Sequence, residues 1–199
     1  MLKRTVLCGV GGQGTILAAH VLAQVAIDGG FDVKVSEIHG MSQRGGSVST
    51  VVTFGDDVHS MVCGDGCADV IVSFDMLEAL RSRSLLKPSG VMVSNDSVIK
   101  PSSVLTGKRQ LPANMRGDLM DAGAILVPAQ SLAYEAGNPK TSNVVMLGAF
   151  SKALPFGEEA WKTVISDHVP PKTVEANLAA FELGRVFAGE HMPDLGAIA

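Results

Sequence analysis

Aromatic side chains are scarce in this chain: 5% of 199 residues, with one tryptophan and one tyrosine. Net charge is −4 and no basic run occurs. Both nucleic acid and an anionic membrane surface attract a basic patch, so neither is expected as a partner. Cysteine is equally sparse. Cys8, Cys63 and Cys67 are an odd set without framework spacing, which predicts reduced thiols in the cytoplasm. The Cys63-x₃-Cys67 pair has no fourth ligand, no C-x-x-C spacing and no histidine at a suitable interval, so we expect no metal site. Long apolar runs are missing too. The longest, Ile16 to Ile27, is broken by His20 and Gln24 and is too short to span a bilayer. Met1-Leu2-Lys3-Arg4 leads directly into a strand without a cleavage site, so no signal peptide is expected. There is no internal repeat.

What the chain does have is aliphatic bulk. Hydrophobic residues make up 46% and mean hydropathy is +0.28, carried by Val, Ile, Leu, Ala and Met. That suits a mostly parallel, mixed sheet buried on both faces, and leaves apolar surface for a partner to cover. The expectation is one α/β domain over 1–190, a three-layer Rossmann-like sandwich with helices on both faces, and a loose tail at 191–199.

In order, the patterning predicts a strand Arg4–Cys8, a helix to about Asp28, a strand Asp32–Ser36 and a strand Val48–Phe54. Gly55-Asp56-Asp57 with Val58–Val62 reads as a hairpin turn and return strand, making part of the sheet antiparallel. Strand Ala68–Ser73, helix Asp75–Ser84 and strand Val91–Ser94 follow. An excursion at 95–114 holds a short strand near Val104, before helix Asn114–Asp121 and strand Ala124–Pro128. The remainder is helical: Gln130–Ala136; Val144–Leu154 behind a Thr141-Ser142-Asn143 cap; a helix opened by Glu158-Glu159 that packs through Trp161, Val164 and Ile165; and a terminal helix striped by Ala176, Ala179, Ala180, Leu183, Val186 and Phe187.

Two stretches carry chemistry. Gly9, Gly11 and Gly14 match G-x-G-x-x-G between a strand and a helix, and with Gly12 and Gln13 they form an anion-binding turn at a helix N-terminus. Glu37 lies 23 positions past Gly14 (37 − 14), about where a dinucleotide fold holds its ribose. Two readings stand here, a dinucleotide site or glycines that merely pack a tight βα turn. The second stretch, 36–46, crowds Glu37, His39, Met41, Ser42, Gln43 and Arg44 together, punctuated by Gly40, Gly45 and Gly46. A loop that only connects strands needs turn formers, not so many unlike polar groups.

The Gly-Val-Gly-Gly-Gln-Gly turn, the Glu37 to Val48 loop, Thr141-Ser142-Asn143 with the following Val-Val-Met-Leu-Gly-Ala, and Glu175 to Gly184 together resemble the gamma domain of 2-oxoacid:ferredoxin oxidoreductases. The resemblance covers about the whole chain. Within the family, the loop and the stand-alone length are most similar to the beta subunits of its indolepyruvate branch. It implies oxidative decarboxylation of a 2-oxoacid to an acyl-CoA with reduction of ferredoxin. Thiamine diphosphate, magnesium and iron–sulfur clusters then belong to a larger alpha subunit, with coenzyme A and ferredoxin as co-substrates. This chain alone would carry no catalytic residue. It would complete the partner's site, with residues 37 and 39–46 facing the partner, the substrate or coenzyme A, and Asn143 in support. Alone, it would self-associate through the same surface. The alternatives are a gamma subunit for pyruvate or 2-oxoglutarate, and a free-standing nucleotide-binding oxidoreductase.

Overall fold

The computed structural model of the chain describes residues 2–39 and 46–192, with His39 by its backbone alone. Six strands, β1 (Leu2–Val10), β2 (Asp32–His39), β3 (Ser47–Gly55), β4 (Ala68–Ser73), β5 (Leu86–Asn95) and β6 (Ile125–Val127), form one sheet in the order β2-β3-β1-β4-β5-β6. β1, β4, β5 and β6 run parallel, while β3 is antiparallel to both β1 and β2. Helices α1 (Thr15–Asp28), α5 (Ala129–Glu135), α6 (Ser142–Ser151), α7 (Glu158–His168) and α8 (Val174–His191) cover one face. Helices α2 (Met76–Ser82) and α4 (Met115–Asp121) cover the other, and α3 (Ser102–Leu105) is a single turn. This is the three-layer, mixed-sheet α/β sandwich expected.

Period-two alternation explains the two cores. Leu7 of β1 enters the core under α1 while Val6 and Cys8 enter the core under α2. All six residues of β4 are buried, as a strand covered on both faces requires. The few aromatics are concentrated rather than scattered: Trp161 is fully buried and meets Phe150, Phe156 and Phe181 at ring separations of 5.6, 6.1 and 6.3 Å. Helices α6 and α8 cross glycine to glycine. A Cβ on Gly148 would lie 2.0 Å from the Phe181 carbonyl oxygen, and one on Gly184 would lie 2.0 Å from that of Val145. Backbones this close need two residues without side chains.

Several expectations are corrected. β2 extends to His39, so Glu37 to His39 are strand, paired residue for residue with Val48 to Thr50 of β3. No strand forms over 58–62. Instead the Val58 N–H donates to Asp32 and the Lys34 ammonium donates to the Val58 carbonyl, which pins the segment against the end of β2. The antiparallel pairing lies in β2–β3 and β3–β1. The segment near Val104 is helical. β5 starts at Leu86, not Val91: Ala68 pairs with Leu86, then the register slips and Val70 pairs with Val91. Gly90 sits in that bulge, where a Cβ would be 3.0 Å from the carbonyl oxygens of Ala68 and Asp69. In α8 the buried stripe is Asn177, Ala180, Phe181, Gly184 and Ala188, and Val186 is exposed, because the glycine crossing sets the rotation of the helix. The same helix continues through Gly189 to His191, into the expected tail.

Candidate functional site

After β1 the chain crosses to one face of the sheet, in α1, and after the neighbouring β4 it crosses to the other, in α2. In an open α/β sheet the divergence of two such connections opens a crevice at the carboxyl ends of the strands, which is where ligands bind. Here the crevice has a volume of about 560 Å³. It is lined by Gly12, Gln13, Gly14, Phe74, Asn95, Ser97, Ile99, Gln130, Lys140, Ser142 and Asn143.

The glycine turn forms one wall. Gly12 and Gly14 have φ of +103° and +83°, conformations that a side chain would strain. Gln13 braces the turn: its amide oxygen accepts from the Val10 N–H at 2.7 Å, and its amide nitrogen donates to the Phe74 carbonyl at 2.8 Å. Asn95 donates to the same carbonyl at 3.3 Å. Three strand ends are thereby tied at one point. Gly14 also gives Asn143 its place, since a Cβ on Gly14 would be 2.5 Å from the Asn143 amide nitrogen.

The sequence places Asn143 in a helix cap. In the structure Thr141 is the N-cap residue of α6 but makes no side-chain capping bond, while Asn138 accepts from the Lys140 N–H at 3.1 Å and caps the preceding 3-10 turn Pro139–Thr141. This leaves Ser142 and Asn143 free to line the crevice at the start of α6. The N-termini of α1 and α6 therefore border one cavity, beside the exposed ammonium of Lys140. Two positive dipole ends and a cation suit an anionic group.

The 36–46 stretch reaches the same end of the sheet. β2 and β3 are a hairpin pair, and β3 ends its pairing with β1 at Ser47 opposite Val10. Gly46 accepts a hydrogen bond from the Gly11 N–H at 2.9 Å, joining the loop to the glycine turn. Gly40, Met41, Ser42, Gln43, Arg44 and Gly45 lie outside the described residues, as does the His39 side chain.

Glu37 does not occupy the place of a ribose-binding acid. Antiparallel β3 intervenes between β1 and β2, setting Glu37 two strands away from the turn, and its carboxylate stands 3.6 Å from His20 on α1. The geometry thus removes the residue that, with the glycine motif, suggested a dinucleotide.

Sequence reasoning missed Glu78. Its carboxylate is buried, accepts from the Ser47 hydroxyl at 2.6 Å, and pairs with Arg81 at 2.5 Å. It anchors the base of the loop to α2. Asp75, fully buried, caps α2 and holds the 97–99 segment through the Ile99 N–H at 2.6 Å. A lone acid within an amphipathic helix gives no sequence signal for anchoring a loop, and Asp75 has the residue type of an N-cap but nothing that points to Ile99. Cys8 lies beneath, and burial pushes its thiol up to about 11, which makes it an inert core residue. Among the described residues no three His, Cys, Asp or Glu side chains converge on a metal-binding geometry, and none of their helices is long and apolar enough to cross a membrane.

Comparison with known proteins agrees with the geometry. The family model for pyruvate ferredoxin/flavodoxin oxidoreductase matches residues 4–187. Indolepyruvate oxidoreductase subunit IorB of Thermococcus kodakarensis is 44% identical over 90% of this chain and 92% of its own. The gamma subunit of a keto/oxoacid ferredoxin oxidoreductase from Geobacter sulfurreducens superposes with a TM-score of 0.69 at 26% identity, covering 94% of this chain and 99% of that one. A 2-oxoglutarate:ferredoxin oxidoreductase of Magnetococcus marinus, solved with 2-oxoglutarate, coenzyme A and succinyl-CoA, contains the fold as 33% of a longer chain, with a TM-score of 0.75 at 21% identity over all of this chain. A family model that matches residues 4–187 and a relative 44% identical over nearly the whole length place this chain in the pyruvate ferredoxin/flavodoxin oxidoreductase family.

Proposed function

We propose that this chain is the small subunit of an indolepyruvate-type 2-oxoacid:ferredoxin oxidoreductase, and that the carboxyl-end face of its sheet completes an active site held mainly by a larger subunit. The observation that carries this reading is the Gly11–Gly46 hydrogen bond. It ties the Gly46 end of the 36–46 stretch to the turn that walls the crevice, which supports a single partner meeting both.

The cysteines of this chain do not suit an iron–sulfur cluster. Cys8 is buried in the core beneath α2, while Cys63 and Cys67 are half-buried in the loop before β4. That is no ligand set for an iron–sulfur cluster. In this reading thiamine diphosphate, magnesium and the clusters are held by the larger subunit, and ferredoxin is the electron acceptor. Residues 1–190 act as one domain of this cytoplasmic assembly. What this chain supplies is binding and orientation. Lys140 and the amides opening α1 and α6 suit a phosphate of coenzyme A, and Arg44 suits a carboxylate or phosphate at the interface.

Co-expression with a thiamine-dependent large subunit tests the reading. The expected result is a stable heteromer by native mass spectrometry that reduces ferredoxin with indolepyruvate in preference to pyruvate or 2-oxoglutarate, while neither chain alone is active. A chain that stays monomeric beside that subunit, or oxidises a substrate by itself with a nicotinamide cofactor, would overturn it.

A further inference from the structure

A second cleft, of about 470 Å³, lies along the free edge of β6, lined by Asp96, Arg116, Met120, Gly123 to Leu126, Pro128, Phe187 and His191. Successive residues of a strand point their N–H and C=O groups to opposite sides. Val127 faces β5, because its carbonyl accepts from the Asp96 N–H at 2.9 Å, and Ile125 faces the same way in the parallel register. Leu126 therefore turns its N–H and C=O outward, into the cleft.

An exposed edge ordinarily invites another strand. Here the edge is too short for one. The next outward position is Pro128, which has no N–H and whose carbonyl accepts from Leu132 at 3.1 Å; on the other side the Ala124 N–H is spent on the Leu119 carbonyl at 2.9 Å. What remains is the one donor of Leu126 with its carbonyl side by side, and the Ala124 carbonyl next to them. Around it stand the Met120 thioether and two stacked rings, Phe187 and His191, with centroids 4.0 Å apart and planes inclined by 12°. The His191 ring is fixed by a 2.7 Å bond to the Phe187 carbonyl. The charged pair at the rim, Arg116 and Asp96, is internally neutralised.

We infer that this cleft binds an uncharged planar heteroaromatic ring with adjacent donor and acceptor atoms, of the nucleobase class. The ring's edge pairs with Leu126, and its faces lie against Met120 and the Phe187–His191 stack. The volume falls in the range of small-ligand pockets, and stacking is the usual way a protein holds a base without reading its sequence.

Adenosine titrated into the full-length ¹⁵N-labelled chain is the test. The expected result is a saturable shift of the Leu126 amide and of the His191 imidazole at concentrations up to about 1 mM. AMP should bind within about twofold of adenosine, because no unpaired cation lines the cleft. Phe187→Ala should weaken binding at least fivefold, and His191→Ala, at an exposed position, provides a second variant with the fold unchanged by the same spectrum. An unmoved Leu126 amide at saturating adenosine overturns the inference. So does a preference for AMP of tenfold or more, or an amide that responds only to an extended peptide.

Discussion

Gly11 donates its backbone N–H to the Gly46 carbonyl at 2.9 Å, across 35 residues of sequence (46 − 11). The bond joins the two stretches that stand out in the sequence, and neither partner contributes a side chain. The registration depends on β3 lying between β1 and β2, which carries the loop from the sheet edge back to the glycine turn.

Gly14→Ala should damage the crevice twice over. The backbone there sits at φ +83° and the new methyl would meet Asn143 at 2.5 Å. The strain alone is worth about 1–3 kcal/mol. Asn143→Ala removes the clash but not the strain, so a double-mutant cycle in urea should show positive coupling, with part of the loss remaining in the double variant. Full additivity would mean that the two residues do not press on each other.

At the α6–α8 crossing, Gly184→Ala places a methyl 2.0 Å from a backbone carbonyl that belongs to a packed helix. The helices must separate, and overpacking of this kind costs about 1–3 kcal/mol or more. A fall of several degrees in Tm is expected from differential scanning fluorimetry. An unchanged Tm would show that the crossing can relax freely.

Acid should act on Asp32 first through its backbone partner. The Val58 N–H, and then Lys34, hold this carboxyl below the usual range. A carboxyl depressed in the folded state contributes stability above its unfolded value of about 3.9, and the contribution is lost as pH falls through the lower folded value. Asp32→Asn should therefore lower the urea midpoint at pH 7, with the difference from wild type shrinking below about pH 4. A difference that persists unchanged into acid would assign the effect to packing instead.

The fold was legible because its signals are local: glycine between strand and helix, uninterrupted aliphatic strands, and Glu158-Glu159 opening α7. Of the crevice, the glycine turn was legible because its residues are consecutive. Asn95 and the Phe74 carbonyl reach the crevice from separate strand ends and Lys140 from the turn before α6, so only the tertiary fold brings them together. The sheet order was hidden because Gly55-Asp56-Asp57 carries the composition of a hairpin turn, while the actual hairpin connects β2 to β3 through the polar stretch itself. The misread Thr141-Ser142-Asn143 cap has the same origin. A capping signature describes the residue type, and it was Gly14, more than a hundred positions away, that decided where Asn143 would lie.

The most direct measurement of the central claim is turnover of the assembled complex carrying Arg44→Ala. If the 36–46 stretch faces a partner's site, the guanidinium contributes a charge-assisted contact there and nothing to the packing of this chain. Thermal stability should then move by less than about 0.5 kcal/mol, and subunit assembly by native mass spectrometry should match wild type. The rate of 2-oxoacid-dependent ferredoxin reduction should fall tenfold or more, or about 1.4 kcal/mol. Undiminished turnover in a fully assembled Arg44→Ala complex would contradict the account and leave the loop a solvated connection between two strands.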